Sequence, residues 1–514
     1  MQLLAFTRPR RKNLSPYAVS ADRPEIIPNP GALLMHRYQG PSHFCLTIKL
    51  RRIFISSLLM ASLLASVSAQ AKNVIFFLGD GMGISTVTAA RIFAGQAQGA
   101  SGEEYSLAFD KFPNLALIKT YNTNAQVPDS AGTVTALVTG EKTRIGVLGV
   151  NASVERDDCA SALKNTLPTL AEMAEQAGMA TGVISTARIT HATPAGLYAH
   201  TPNRNWESSA STPNEAEALG CYDIARQLVE MSHGDGLDVI LGGGRREFLP
   251  AQTPDPEYPS RSGLRDDGRN LVDEWLAADN RRQYVWQGDT FAKWLAAPEA
   301  QTGQLMGLFE PSHMQYEADR AKDPGKEPSL KDMTALAVKQ LAGRQEGYFL
   351  LVEAGRIDHA HHFSNAYRAL ADTVALSDAV QWAVENVDLQ ETLILVTADH
   401  SHTMTISGYP RRGNPILGLV ETEPGKPILD AQGNPYTTLS YANGPGYKKR
   451  PPNFSDIDPQ NPNYQQLSTV PLPSETHAGE DVAAFAIGVN ADAVRGVMEQ
   501  NKLFKVMHDA LLQQ

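Results

Sequence analysis

The sequence predicts an α/β fold: a three-layer sandwich with a central, mostly parallel sheet, plus an inserted subdomain. Short runs apolar at every position alternate with helical stretches, as strands covered on both faces do. Carboxylates and imidazoles follow several of those runs, where open α/β sheets place their ligands. Residues 406–473, dense in Pro, Gly, Asn and Tyr, form too long a stretch for an ordinary loop and predict the insert.

Residues 74–78 are the first strand, and 86–93 the helix after it. A helix at 170–176 leads into a strand at 180–184, and further strands fall at 239–241, 349–352, 393–396 and 483–487. Residues 250–332 break the alternation, with Pro and Gly turns around an aromatic segment from 275 to 294. No internal repeat is present.

With 514 residues, 42% hydrophobic and 20% charged, the chain can bury a large core. Its net charge is −11, yet residues 1–71 carry nine Lys and Arg against two acids, which leaves −18 on the remainder. Such an acidic body has no broad basic face, which excludes nucleic acid as a specific partner.

The basic segment leads into an apolar run at 53–67 and then into small-residue patterns at 67–69 and 69–71. Fifteen apolar residues fall short of the roughly twenty a bilayer span needs, so residues 1–71 read as an export signal with an upstream extension, Met35 being an alternative start. The main domain is then 72–514. Export means the periplasm in a Gram-negative host, and otherwise secretion or the cell surface. Cys45 would be lost with the signal, leaving Cys159 and Cys221 as a pair that an oxidising compartment would join. Two buried free thiols are the alternative.

Three strands deliver acids or imidazoles to one rim: Asp80 after 74–78, Glu353 after 349–352, and Asp399 with His400 after 393–396. In EAGRIDHAHH, a helix beginning near Ile357 sets Asp358 and His362 at i and i+4, a spacing at which two side chains grip one metal ion; His361 is the other candidate. His477 lies just before the last strand and can reach the same rim. Mixed Asp and His sets favour Zn²⁺, whereas Asp80, Glu353 and a hydroxyl would suit Mg²⁺. Ser130, in VPDSAGTVTALV, opens a helix, where it is either a cap or a nucleophile that a nearby metal would activate. A guanidinium fork for phosphate could come from Arg204, Arg188 or Arg245.

These residues occur in NVIFFLGDGMG at Asn73, VPDSAGTVTALVTGEKT at Val127, HATPAGLYAHTPNRNW at His191, VEAGRIDHAHH at Val352, TADHSH at Thr397, YANGPGY at Tyr441 and ETHAGEDVAAFA at Glu475. In that order they resemble alkaline phosphatases, the animal-type members more than the enteric bacterial ones, from about Lys72 to the C-terminus. The resemblance implies that Ser130 is transiently phosphorylated and that Arg204 clamps the phosphate. It implies one zinc on Asp358, His362 and His477, a second on Asp80, Asp399 and His400, and magnesium on Asp80, Thr193 and Glu353. His191 and His359 stand where the enteric members carry Asp and Lys. A calcium-like fourth site is matched by Phe309, Glu310 and Asp323, with Glu215 or Glu217 as its remaining acid. The insert resembles the family's crown, which implies a homodimer, and Cys159 and Cys221 match cysteine positions of the animal-type pattern.

The implied activity is hydrolysis of phosphate monoesters at alkaline pH. The nearest rivals are a phosphodiesterase or sulfatase of the same superfamily and a noncatalytic exported metal-binding protein. A diesterase commonly uses Thr, and a sulfatase a modified Cys or Ser in its own motif, so Asp129-Ser130-Ala131 favours the monoesterase. A noncatalytic protein would lack nucleophile or clamp.

Overall fold

A computed structural model describes residues 72–298, 303–450 and 452–512. The export signal expected at 1–71 lies outside the described residues. Ten strands form the main sheet: β1 (Asn73–Gly79), β2 (Asn114–Lys119), β3 (Ala180–Arg188), β4 (Val239–Gly243), β5 (Gln283–Val285), β6 (Leu305–Leu308), β7 (Tyr348–Ala354), β8 (Thr392–Ala398), β9 (Val482–Gly488) and β10 (Gly496–Glu499). Their spatial order is β10-β2-β9-β8-β1-β7-β3-β4-β6-β5. Both of β9's pairings are antiparallel, and every other pairing in this sheet is parallel.

Register positions the site. Gly79 of β1 lies abreast of Ala354 of β7 and Ala398 of β8, so the chain leaves all three strands at one level of one rim. Ser185 of β3 pairs with Glu353 on the same rim. Because β9 runs the opposite way, its beginning meets the carboxyl ends of its neighbours, which brings His477 there.

The central strands carry unbroken apolar runs because both faces are covered, and Val74 to Leu78 and Phe349 to Val352 are fully buried. Helices α1 (Ile84–Ala97), α2 (Ser130–Thr139), α3 (Leu170–Gln176), α4 (Arg356–His362) and α5 (Ala366–Asn386) include each helix expected from sequence. α5 packs on β1, β7 and α1, while the C-terminal helix Lys502–Leu512 packs on β1, α2 and α3. No helix among the described residues is long and apolar enough to cross a membrane.

Four strands went unexpected. β2 alternates, exposing Leu115 and Leu117 while burying Ala116 and Ile118. β5 has three residues and β6 four, too short for a pattern, and both lie in the stretch that seemed to break the alternation. β10 is an edge strand with Val497 in solvent. The stretch after β8 carries its own sheet, Met404–Ile406 and Ser468–Pro471 flanking Leu439–Gly444, and a hairpin of Glu421–Glu423 with Lys426–Pro427.

Candidate active site

α4 starts at Arg356, so Asp358 and His362 share one face of its turns. His362 Nε2 lies 3.4 Å from Asp358 Oδ1, and His477 Nε2 lies 3.3 Å from the same oxygen. The two imidazoles approach each other at 3.2 Å through their Nε2 atoms. His362 Nδ1 donates to the Glu475 carbonyl at 2.5 Å, and His477 Nδ1 to the Pro128 carbonyl at 2.8 Å. With the proton on Nδ1 in each ring, two lone pairs and a carboxylate converge, an arrangement suited to a cation.

Asp358, His400, His402 and His477 also offer atoms within 4.8 Å of one another. His402 is nevertheless no free ligand. Its Nε2 meets Asp358 Oδ1 at 2.7 Å and its Nδ1 meets Glu475 Oε2 at 2.5 Å, so carboxylates engage both nitrogens. Burial opposes charge on this ring, but Glu475 and Asp358 outweigh it and push His402 up to about 10. Burial would likewise raise Asp358, yet the surrounding imidazoles hold it well below the usual carboxylate range.

The second cluster is Asp80, Asp399 and His400, all buried. His400 Nε2 lies 3.4 Å from Asp80 Oδ1 and 3.2 Å from Asp399 Oδ2. Asp399 is oriented through Oδ1, which accepts the Gly81 amide at 3.0 Å and the His400 amide at 2.9 Å. Gly81 has φ +68°, and a Cβ there would fall 2.4 Å from the His402 ring, so the Gly-Asp-Gly turn is a close approach.

Asp80 Oδ2, Thr193 Oγ1 and Glu353 Oε1 are buried without a well-aligned hydrogen-bond partner among the described residues. The other Glu353 oxygen accepts from Ser185 Oγ. Burial, reinforced by Asp399, pushes Glu353 up to about 7, and burial with Asp399, Asp358 and Glu353 holds Asp80 well above its ordinary value. Four buried carboxylates this close favour cations beside them, and an all-oxygen set of orphaned atoms fits a hard one.

Ser130 is the first residue of α2. The cap is Asp129, whose Oδ1 accepts the Gly132 amide at 3.0 Å. Ser130 is thereby released from capping, and its Oγ stands 3.2 Å from His400 Nε2 and 3.4 Å from Asp80 Oδ1. Ser130, Arg204, His362 and His477 line one cavity of about 270 Å³. Arg204 reaches it with Nη1 3.1 Å from Asp129 Oδ2 and Nη2 3.2 Å from His191 Nε2.

The rival arginines are held more firmly. Arg188 also lines the cavity but forms a two-pronged pair with Glu207, at 2.7 and 2.6 Å. Arg245 is fully buried and paired with Asp255 and Glu257.

Residues 71–513 match the family model described as alkaline phosphatase. The chain belongs to the alkaline phosphatase family. It is 47% identical over 440 residues to the tissue-nonspecific alkaline phosphatase of Gallus gallus, covering 84% of this chain and 82% of that one. The corresponding protein of Felis catus is 45% identical over 445 residues, covering 85% and 83%. The crystal structure of the Thermus thermophilus alkaline phosphatase shares the fold, with a TM-score of 0.61 at 24% identity over 87% of this chain and 92% of that one. As a member of this metal-dependent family, the protein is a phosphomonoesterase.

In this alkaline phosphatase Cys159 and Cys221 are joined by a disulfide with Cα atoms 6.0 Å apart. The bridge packs on Trp206, two residues from Arg204. The fourth acidic site differs from expectation. Glu310 and Asp323 do come together, but their third acid is Glu257 rather than Glu215 or Glu217. Glu215 and Glu217 lie on a separate helix, Asn214–Leu219, where Glu217 pairs with Arg226 at 3.4 Å. Glu257 arrives on a Pro-rich turn held by Arg245, 3.0 Å away, a placement with no sequence periodicity to betray it. Burial among these acids pushes Glu310 up to about 8. His402 stood in the quoted motifs without a role, and its signal was only its position two residues after His400.

Proposed function

We propose that the protein hydrolyses phosphate monoesters through a phosphoserine formed on Ser130, with zinc on Asp358, His362 and His477, a second zinc on Asp80, Asp399 and His400, and magnesium on Asp80, Thr193 and Glu353. One observation carries the reading: a helix-start hydroxyl free of capping, a guanidinium and the Asp358–His362–His477 cluster line one cavity, and the same hydroxyl stands 3.2 Å from His400 of the second cluster. Nitrogen-bearing clusters suit zinc and the oxygen-only cluster suits magnesium. Asp80 suits a bridging role, since Oδ1 faces His400 while Oδ2 is the unpartnered atom.

When bound, the ions supply Lewis acidity that lowers the pKa of a hydroxyl or of water and offsets the four carboxylates. Ser130 Oγ forms a bond to phosphorus while the bond to the ester oxygen breaks, and the released alkoxide takes a proton to leave as the alcohol. Arg204 and the amides at the start of α2 hold the nonbridging oxygens, where negative charge collects. Water then cleaves the phosphoserine, giving inorganic phosphate and the restored hydroxyl.

The test is Ser130→Ala assayed on p-nitrophenyl phosphate at alkaline pH, with zinc and magnesium content measured on the same sample. Turnover falls by orders of magnitude while metal content holds. Undiminished turnover would mean that another group attacks phosphorus. Chelation abolishes wild-type activity and zinc plus magnesium restore it.

The remaining parts of the reading rest on separate supports. Glu257, Glu310 and Asp323 form the calcium site, which metal analysis showing no calcium would remove. The insert at 406–473, with its own three-stranded sheet, serves as a crown-like subdomain joining two copies, as its resemblance to the family's crown implies. A monomer mass by light scattering rejects that homodimer. Residues 1–71 direct export to the periplasm or outside the cell, and the first residue of the mature chain reports whether they are removed.

A further inference from the structure

The segment that supplies His477 also supplies Glu475, to which the reaction assigns no part. Its side chain is fully buried. Glu475 Oε1 accepts the Thr403 amide at 2.7 Å and the Thr403 hydroxyl at 2.6 Å, which fixes the carboxylate in rotation. Oε2 accepts His402 Nδ1 at 2.5 Å, and the far side of that ring, Nε2, meets Asp358 Oδ1 at 2.7 Å. The Glu475 backbone reaches His362 in the other direction. Its amide donates to the His362 carbonyl at 2.9 Å and its carbonyl accepts His362 Nδ1 at 2.5 Å. Two residues on, His477 pairs with His402 in a two-stranded ladder.

The ring between Glu475 and Asp358 has no room to turn. His361 stacks on His402 with centroids 4.8 Å apart, and is itself fixed by Thr86 Oγ1 at 3.0 Å and Tyr441 Oη at 2.8 Å. Gly81 closes the opposite approach, as the Cβ it lacks would overlap the ring. A push on Glu475 is therefore transmitted to Asp358 rather than absorbed.

We propose that Glu475 is the positioning residue of the Asp358–His362–His477 cluster, orienting Asp358 through His402 and His362 through its own carbonyl, so that changing its carboxylate loosens the metal ion held there and leaves the Asp80–Asp399–His400 cluster unchanged. The inference rests on the reading of these two clusters as zinc sites. Groups that orient metal ligands through hydrogen bonds typically carry about 10- to 100-fold in metal affinity. In Glu475→Gln the amide oxygen can still accept from Thr403, but the amide nitrogen faces His402 Nδ1 as a donor. The Nδ1 hydrogen bond that fixes the His402 ring against Glu475 is then broken or reversed, so the ring's Nε2 contact to Asp358 is no longer held in place. Glu475→Ala removes the anchor altogether.

The experiment uses the full mature protein saturated with zinc and titrated with a competing chelator, counting zinc retained at each step. For Glu475→Gln, one zinc equivalent leaves at about 10- to 100-fold lower chelator than in wild type while the other leaves where it did. Glu475→Ala shows a larger displacement of the same equivalent, and excess zinc restores much of the lost turnover of Glu475→Gln. Thr403→Val, which removes one hydrogen bond to Glu475 Oε1 and little else, shifts the same equivalent by a few-fold, so the inference stays testable if Glu475→Ala does not fold. Release of both equivalents at wild-type chelator concentrations in Glu475→Gln and Thr403→Val overturns the inference. Equal loosening of both equivalents also overturns it, since that marks a general loss of structure. A wild-type protein that retains no zinc overturns it together with the two-zinc reading, whereas Ser130→Ala with undiminished turnover affects only the nucleophile.

Discussion

Arg204→Ala separates phosphate recognition from metal binding. The side chain is 16% exposed and its two terminal nitrogens already have partners, Asp129 Oδ2 at 3.1 Å and His191 Nε2 at 3.2 Å. A phosphate dianion therefore competes for a guanidinium that is partly satisfied. Hydrogen bonds to charged groups contribute about 1.5–3 kcal/mol each, and the competition places this pair at the lower end. Two such bonds give about 3 kcal/mol, or roughly a 150-fold weaker hold on phosphate. The truncation does not strand Asp129, because Oδ1 keeps the Gly132 amide and Oδ2 keeps the Gly146 amide, each at 3.0 Å, so the start of α2 stays capped. The assay is competitive inhibition by inorganic phosphate during p-nitrophenyl phosphate hydrolysis, with zinc content measured alongside. Arg204→Lys restores the charge without the fork and recovers part of the loss. An inhibition constant within about threefold of wild type, with metal content intact, refutes the assignment of Arg204 as the clamp.

Gly81→Ala places a Cβ 2.4 Å from His402 at a backbone φ of +68°, so the variant loses about 1–3 kcal/mol of stability and retains zinc poorly; thermal unfolding and metal analysis read both, and wild-type values in both would show that the turn has slack. Asp372 is buried on α5, and burial pushes its carboxyl up to about 8 from 3.8. Its stabilising contribution is full below the unfolded value and is lost as pH rises toward 8, because the folded state then has to ionise a buried acid. Asp372→Asn cannot ionise, so it unfolds at higher denaturant than wild type by a margin that widens between pH 5 and pH 9, by at most about 4 kcal/mol at ~1.4 kcal/mol per pH unit. A margin independent of pH refutes the burial argument.

Legibility followed burial. β1, β7 and β8 could be read from the sequence because both faces are covered and each has an unbroken apolar run, Val74 to Leu78, Phe349 to Val352 and Leu393 to Val396. β2 and β10 could not: at the sheet's margin the short apolar runs Leu115 to Ile118 and Val497 to Met498 are only partly buried, with Leu115, Leu117 and Val497 in solvent, and nothing in the sequence marks them as sheet. The pairing of Asp358 with His362 was legible because helix geometry alone decides which residues share a face. His477 could be placed at the rim, but the reason it gets there, the reversal of β9, is a property of pairing rather than of composition.

The harder assignments concern residues whose chemistry depends on a partner. Arg188, Arg204 and Arg245 are equivalent on paper, and only Glu207, Asp129 and Asp255 separate them. That Ser130 is not the cap became visible only with Asp129 taking it. His400 and His402 are two residues apart in one motif, yet one faces the serine while the other is consumed between two carboxylates. A motif names the atoms that arrive at a rim, whereas the hydrogen bonds made behind that rim decide which lone pairs remain for a metal. For the same reason the third acid of the Glu310–Asp323 cluster is Glu257 and neither Glu215 nor Glu217. The acid that completes such a cluster is selected by the loop that carries it and by the arginine that holds the loop, and neither leaves a mark on the local sequence.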